Sequence, residues 1–244
     1  MPISACFLDV DGVINDHALN PGMWDAHLGE VLAPVLGSTP QEWGRVNRIV
    51  FPNIWKEQAT WGTVPMSRIR TEAHLVVKGM CEQLGITPPL PERSFELWQQ
   101  VDRHVASTGK AAYPFAAGAV RELASLVPVH MATGNPSWRV DALLSALGVR
   151  HIVGFPAGPD LVDIFKDDPR FYSRIFERTN FPSATALVVD DTPACLAHAK
   201  AAGAQTVHID DTRKCQCPAN HHLPTLSELP SIVITIGVAP LSGR

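Results

Sequence analysis

The chain has 244 residues, 45% of them hydrophobic and 18% charged, which excludes a disordered chain and allows one large domain or a core domain carrying an inserted one. A formal net charge of −4, with no lysine- or arginine-rich run, argues against a nucleic-acid partner. The N-terminus has no basic segment followed by an apolar one, and the apolar stretch 232–241 is interrupted by Gly237 and Pro240 and too short to span a bilayer, so no membrane association is expected. Five scattered cysteines (Cys6, Cys81, Cys195, Cys215 and Cys217) suit a reducing cytoplasm better than a disulfide framework.

The first predicted element is a buried strand over the apolar run Ile3 to Leu8. It ends in Asp9-Val10-Asp11-Gly12. Side chains alternate along a strand, so Asp9 and Asp11 start out on the same side. Two crowded carboxylates are tolerated when a metal ion or a functional proton offsets them. The alternative is a strand closing in an ordinary Asp-Gly turn.

Residues 16–111 carry helical signals over Trp24–Leu36, Gln41–Trp61, Met66–Leu84 and Glu92–Ser107, with few strand signals. Trp24, Trp43, Trp55, Trp61 and Trp98 lie here, either as core filler of a small bundle or with one or two of them lining a substrate pocket.

From about Ala112 onward strand and helix alternate, as in a parallel α/β sheet. Val120, Leu123 and Leu126 mark a helix; strands are expected at Val127–Ala132, His151–Phe155, Thr185–Val189 and Thr206–Ile209. Val140, Leu143, Leu144 and Leu147 mark a second helix, with others over Phe171–Arg178 and Leu196–Ala202. Residues 226–234 suit a final helix or strand. The expected division is therefore a core of residues 1–15 and 112–244 and a helical insertion of residues 16–111. The insertion leaves directly after the acidic loop, at the sheet edge where open α/β folds bind ligands.

Three more loops fall at that edge. Thr133-Gly134-Asn135-Pro136 offers a hydroxyl and an open backbone N–H to a phosphate oxygen, or is a plain strand-to-helix turn. Lys166-Asp167-Asp168-Pro169 offers a cation that could neutralise a nucleophile and a phosphate, or a solvated lysine. Asp190-Asp191-Thr192-Pro193 offers a hard oxygen site suited to Mg²⁺, or a second acidic turn. Asn135-Pro136, Asp168-Pro169 and Thr192-Pro193 each suggest a helix start, a capping residue followed by proline. If those helices run antiparallel to the sheet, their positive ends gather where an anion would sit.

With the four loops in order, the chain resembles the haloacid dehalogenase superfamily of phosphotransferases, over Ile3 to about Ile209. The strand-DxDG motif matches Asp9 and Asp11, the second-motif Thr matches Thr133, the third-motif lysine matches Lys166, and the paired acids match Asp190 and Asp191. The resemblance implies an α/β fold, a Rossmann-like three-layer core with a parallel sheet and an inserted α-helical cap that governs substrate choice. It implies Asp9 as a nucleophile forming an aspartyl-phosphate and Asp11 as general acid, then base. It implies Mg²⁺ held by Asp9, the Asp11 carbonyl and Asp191, with Asp190 as a ligand or as a partner of one. Thr133, Gly134, Asn135 and Lys166 would hold the phosphoryl group. The chain departs from many relatives in having no further acid between Thr192 and His198, and in Lys-Asp-Asp-Pro where Lys-Pro-Asp-Pro is commoner.

The expected activity is Mg²⁺-dependent hydrolysis of a small phosphorylated metabolite. Asp11 disfavours a dehalogenase, whose leaving group needs no proton. A phosphomutase, a phosphonate-cleaving enzyme with Lys56, Lys78 or Lys110 as its amine, and a non-catalytic phosphate-binding module stay open. His17 is read as a specificity residue or a solvated hinge, and Arg139 as meeting an anionic substrate or, preferably, facing solvent. In the tail, Cys215, Cys217, His221 and His222 raise a structural zinc reading beside that of a solvated or partly packed loop, the Cys-x-Cys spacing being tight and the two histidines adjacent. Oligomeric state is not legible.

Overall fold

Every residue of strand β1 (Ala5–Leu8) is fully buried, as a continuous apolar run requires of a strand covered on both faces. The computed structural model describes residues 1–210 and 217–239, with the backbone alone at Ala59. After β1 come four helices, α1 (Asn20–Leu36), α2 (Pro40–Trp55), α3 (Pro65–Leu84) and α4 (Pro91–Ser107). Strands and helices then alternate through α5 (Ala116–Leu126), β2 (Val129–Ala132), α6 (Ser137–Ala146), β3 (Val153–Ala157), α7 (Pro159–Val162), α8 (Phe171–Thr179), β4 (Ala186–Asp190), α9 (Pro193–Ala201) and β5 (Gln205–Ile209). Strand β6 (His221–Leu223) and helix α10 (Leu229–Ile236) follow.

The six strands form one parallel sheet in the order β3-β2-β1-β4-β5-β6, an α/β architecture of Rossmann type. Parallel neighbours need crossovers, which explains the helix between successive strands from β2 to β5. The central strand β4 is as apolar as β1 over Ala186–Val189, and all four of those residues are fully buried. Strand β3 lies two residues later than the sequence suggests, because Arg150–Ile152 form a 3₁₀ turn. Its Pro156 is tolerated because β3 is an edge strand. Strand β6 was not anticipated; it has three residues and two histidines, too short and too polar to carry a strand pattern.

The chain divides into two compact units, Met1–His17 with Ala112–Arg244, and Ala18–Ala111. In the first unit the Asn15 and Ala112 backbones form an antiparallel bridge, and the Tyr113 N–H donates to the Ile14 carbonyl at 2.8 Å. In the second unit, a capping box between Thr39 and Glu42 starts α2. Gly44 lets α1 and α2 meet closely, since a Cβ there would lie 2.0 Å from the Asp25 carbonyl oxygen. Trp43 is fully buried and its indole N–H donates to the Gly37 carbonyl; Trp24 stacks on Trp98 at 5.4 Å; Trp55 is exposed. Helix α2 stops at Trp55 instead of running to Trp61, and a 3₁₀ turn follows over Gln58–Thr60, where the Thr60 hydroxyl bonds back to the Glu57 carbonyl. Helix α10 ends at Ile236, and residues 240–244 lie outside the described residues. Among the described residues no helix is long and apolar enough to cross a membrane.

Candidate functional site

The chain winds from β1 to β2 and β3 on one side and to β4, β5 and β6 on the other, so the strand order reverses at β1. Ligands in open α/β sheets bind beyond the strand C-termini at such a reversal. Leu8 pairs with Met131 on one side and Val189 on the other, so the residues that follow β1, β2 and β4 emerge side by side. Those residues are Asp9, Thr133 and Asp191, with Asp190 the last residue of β4 itself.

Asp9 stays in register with β4, its N–H donating to the Val189 carbonyl at 2.9 Å. The backbone then turns sharply, with the Gly12 N–H donating to the Asn15 carbonyl and the Ile14 and Asn15 N–H groups to the Val10 carbonyl. Gly12 is required twice over. Its φ is +77°, and a Cβ would lie 2.2 Å from an Asp191 carboxylate oxygen.

Lys166 is the charge centre of the site. Its Nζ lies 2.7 Å from Asp9 Oδ2 and 2.7 Å from Asp190 Oδ2, with all three side chains nearly inaccessible. Burial lowers its affinity for a proton, but Asp9 and Asp190 more than offset this and keep the ammonium charged. Burial, Asp190 and Asp11 push the Asp9 carboxyl up and Lys166 pulls it back, leaving it at about 7. Asp190 is fully buried: besides Lys166 it accepts from the Tyr172 hydroxyl at 3.0 Å and from the Thr192 N–H at 2.9 Å. Asp191 is more open. His17 Nε2 lies 2.8 Å from its Oδ2, and the Thr192 hydroxyl donates to its Oδ1. Burial lowers the His17 pKa, but the bond and charge of Asp191 raise it overall.

On the β2 side, the Thr133 N–H donates to the Ala157 carbonyl, and Thr133 Oγ1 accepts from the Asn135 N–H. Asn135 Nδ2 donates to Asp11 Oδ2 at 2.8 Å, and its Oδ1 accepts from Arg139 at 2.8 Å. Gly134 is exposed. Gly158 admits this loop, since a Cβ there would lie 2.3 Å from the Asn135 carbonyl oxygen.

The capping pattern needs correction at two of the three helices, and at the third the start holds without the side-chain cap. Asn135 does not cap α6, because its side chain is committed to Asp11 and Thr133; the Ser137 N–H is satisfied by Asp160 instead. Helix α8 starts at Phe171, because Asp168 grips the Arg170 N–H and guanidinium and closes a turn ahead of it. Arg170 holds the Asp168 carboxyl down to about 2. Thr192 precedes α9 as expected, yet its hydroxyl bonds Asp191 and not a helix N–H. Arg139 likewise does not simply face solvent; it braces Asn135.

The structure thus brings Asp9, Asp11, Thr133, Asn135, Lys166, Asp190 and Asp191 to one sheet edge. Carboxylate oxygens of Asp9, Asp190 and Asp191 lie within 4.8 Å of one another. That oxygen-only donor set, with a glycine that leaves the Asp191 carboxylate its room, fits a hard divalent ion such as Mg²⁺. Tyr172 was missed from sequence because nothing in its spacing distinguishes it from the other apolar positions of α8. His17 was noted, but its partner lies 174 residues away.

Residues 3–203 match the model of the family described as haloacid dehalogenase-like hydrolase. The chain belongs to this family. No curated protein matches the chain. Among solved structures, the HAD-hydrolase YfnB from Bacillus subtilis bound to magnesium is similar, with a TM-score of 0.66 and 14% identity over 96% of this chain and 99% of that one. So is L-2-haloacid dehalogenase from Xanthobacter autotrophicus with chloropropionic acid covalently bound, at 0.60 and 15%, over 95% and 98%. CbbY from Rhodobacter sphaeroides in complex with phosphate gives 0.58 and 20%, over 93% and 96%. These likenesses place the chain among haloacid dehalogenase-like folds.

Proposed function

We propose that this hydrolase is a Mg²⁺-dependent phosphatase that cleaves a small phosphorylated metabolite through an aspartyl-phosphate on Asp9. The observation that carries the reading is Asp11, a carboxyl two residues beyond Asp9 and hydrogen-bonded by Asn135 at 2.8 Å. An alkoxide leaving group needs a proton, and a halide, the conjugate base of a strong acid, does not. A carboxyl held in that position therefore favours ester cleavage, although several similar structures are dehalogenases. Lys56, Lys78 and Lys110 are all exposed, which gives no support to a desolvated Schiff-base amine.

In the proposed reaction an Asp9 oxygen attacks phosphorus while the ester P–O bond breaks and Asp11 gives its proton to the departing oxygen. Water then attacks the aspartyl-phosphate, Asp11 takes the water's proton, and phosphate leaves with Asp9 restored. Lys166 neutralises Asp9 and a phosphoryl oxygen, and the Thr133 hydroxyl with the Gly134 N–H binds the other oxygens, the Asn135 N–H being held by Thr133 Oγ1. Asp9, Asp191 and the Asp11 carbonyl would hold Mg²⁺, with Asp190 fixing Lys166; the ion supplies charge neutralisation to the phosphoryl oxygens.

The test is Mg²⁺-dependent phosphate release from p-nitrophenyl phosphate, compared with Asp9→Asn, beside chloride release from 2-chloropropionate. Phosphate release abolished in the variant supports the reading. Equal rates in the two proteins, or chloride release without phosphate release, overturn it. A panel of phosphorylated metabolites then defines the substrate.

A further inference from the structure

Strand β6 lies in parallel beside β5, pairing His208 with His222. Paired residues share a face of the sheet, and the two imidazoles meet edge to face at 5.5 Å. The sulfur of Cys217 joins them, so that one donor atom from each of His208, Cys217 and His222 lies within 4.8 Å of the other two. Donors on a tetrahedral zinc sit roughly 3–4 Å apart, given bonds of about 2.0–2.3 Å. The segment is well anchored: Asn220 exchanges bonds with Thr206, and Lys200 donates to the Pro218 carbonyl at 2.7 Å.

A second observation points to a ligand. His208 is 2% exposed, and its Nε2 lies 2.9 Å from the backbone carbonyl of Asp191. A carbonyl only accepts, so Nε2 carries a proton, and in the neutral tautomer that bond selects, Nδ1 carries a lone pair. That Nδ1 is buried and has no hydrogen-bond partner among the described residues. An imidazole whose far nitrogen donates to a carbonyl is the usual form of a metal-bound histidine.

We propose that His208, Cys217 and His222 form a zinc-class metal site, separate from the catalytic centre and tied to it through the bond from His208 to the Asp191 backbone. Thiolate and imidazole select a softer ion than the carboxylates around Asp9 do, so the two sites sort metals by ligand hardness. The sequence pattern pointed to a different set. His221 alternates to the other face of β6, Cys215 lies outside the described residues, and His208 carries no local signature.

The experiment uses the full chain without a polyhistidine tag, stripped with chelator and reloaded with Zn²⁺ or Co²⁺ in millimolar Mg²⁺. About one equivalent of zinc per chain is expected, with a thiolate-to-cobalt charge-transfer band in the near ultraviolet. Cys217→Ser abolishes the band, and His222→Ala, at an exposed position that leaves folding intact, weakens zinc binding at least tenfold. Asp9→Asn keeps both. Absence of stoichiometric zinc, unchanged affinity in both tail variants, or loss of the band in Asp9→Asn overturns the proposal.

Discussion

Asn135 ties Asp11 to Arg139: its amide nitrogen donates to the Asp11 carboxylate at 2.8 Å while its amide oxygen accepts from the Arg139 guanidinium at 2.8 Å. This chain fixes the rotamer of the proposed proton donor. Asp11→Asn should lower turnover of an alkyl phosphate by about 100- to 10,000-fold. An acyl phosphate, whose leaving group needs no proton, should lose far less. Equal losses on both substrates would remove Asp11 from the acid role. Arg139→Ala should give a smaller loss with the same leaving-group dependence, as expected of a positioning residue.

Asp9 is costly to ionise within the fold. Its carboxyl is raised from 3.8 to about 7, so between those values the folded chain holds a proton that the unfolded chain releases. Stability from this group therefore falls as pH rises from about 4 to about 7 and is level above. Asp9→Asn lacks that loss. In chelator-treated protein its melting temperature should exceed the wild type's by a few degrees at pH 8, roughly 2–4 °C per kcal/mol, and match it near pH 4. Adding Mg²⁺ should raise the wild type toward the variant.

Lys166 offsets two buried acids at once. Lys166→Met should abolish phosphatase activity and destabilise the chain by about 3–5 kcal/mol, the usual result of stripping a buried charge of its partner. Adding Asp9→Asn should recover part of the stability and none of the activity. Urea melts of the single and double variants measure the difference.

Gly12→Ala drives a methyl group into the Asp191 carboxylate from a backbone at φ +77°. The strained backbone should cost about 1–2 kcal/mol. The displaced carboxylate should raise the Mg²⁺ concentration for half-activation at least tenfold, read from a metal titration. Unchanged metal dependence would separate Asp191 from the metal site.

The acidic loop after β1, the threonine, the lysine and the paired acids were legible because each follows a continuous apolar strand, and a parallel sheet carries all such strand ends to one edge. What the sequence hid depends on contacts between distant segments. Tyr172 meets Asp190 and His17 meets Asp191 only after the chain has wound. Asn135 looked like a helix cap because its local neighbours fit one, and tertiary geometry gave its amide to Asp11 instead. Strand β6 is assigned by its partner β5, since its own three residues carry no period.

The bridge between Asn15 and Ala112 and the bond from Tyr113 to Ile14 fasten the two ends of the insertion side by side with backbone atoms of the core. Because the ends already meet, the length between them costs the core little: each doubling adds about 0.6 kcal/mol of closure entropy. The junction is in effect a splice point. A segment of different length or shape can be spliced in at that junction without moving Asp9 or Lys166, which belong to the unit that closes the junction.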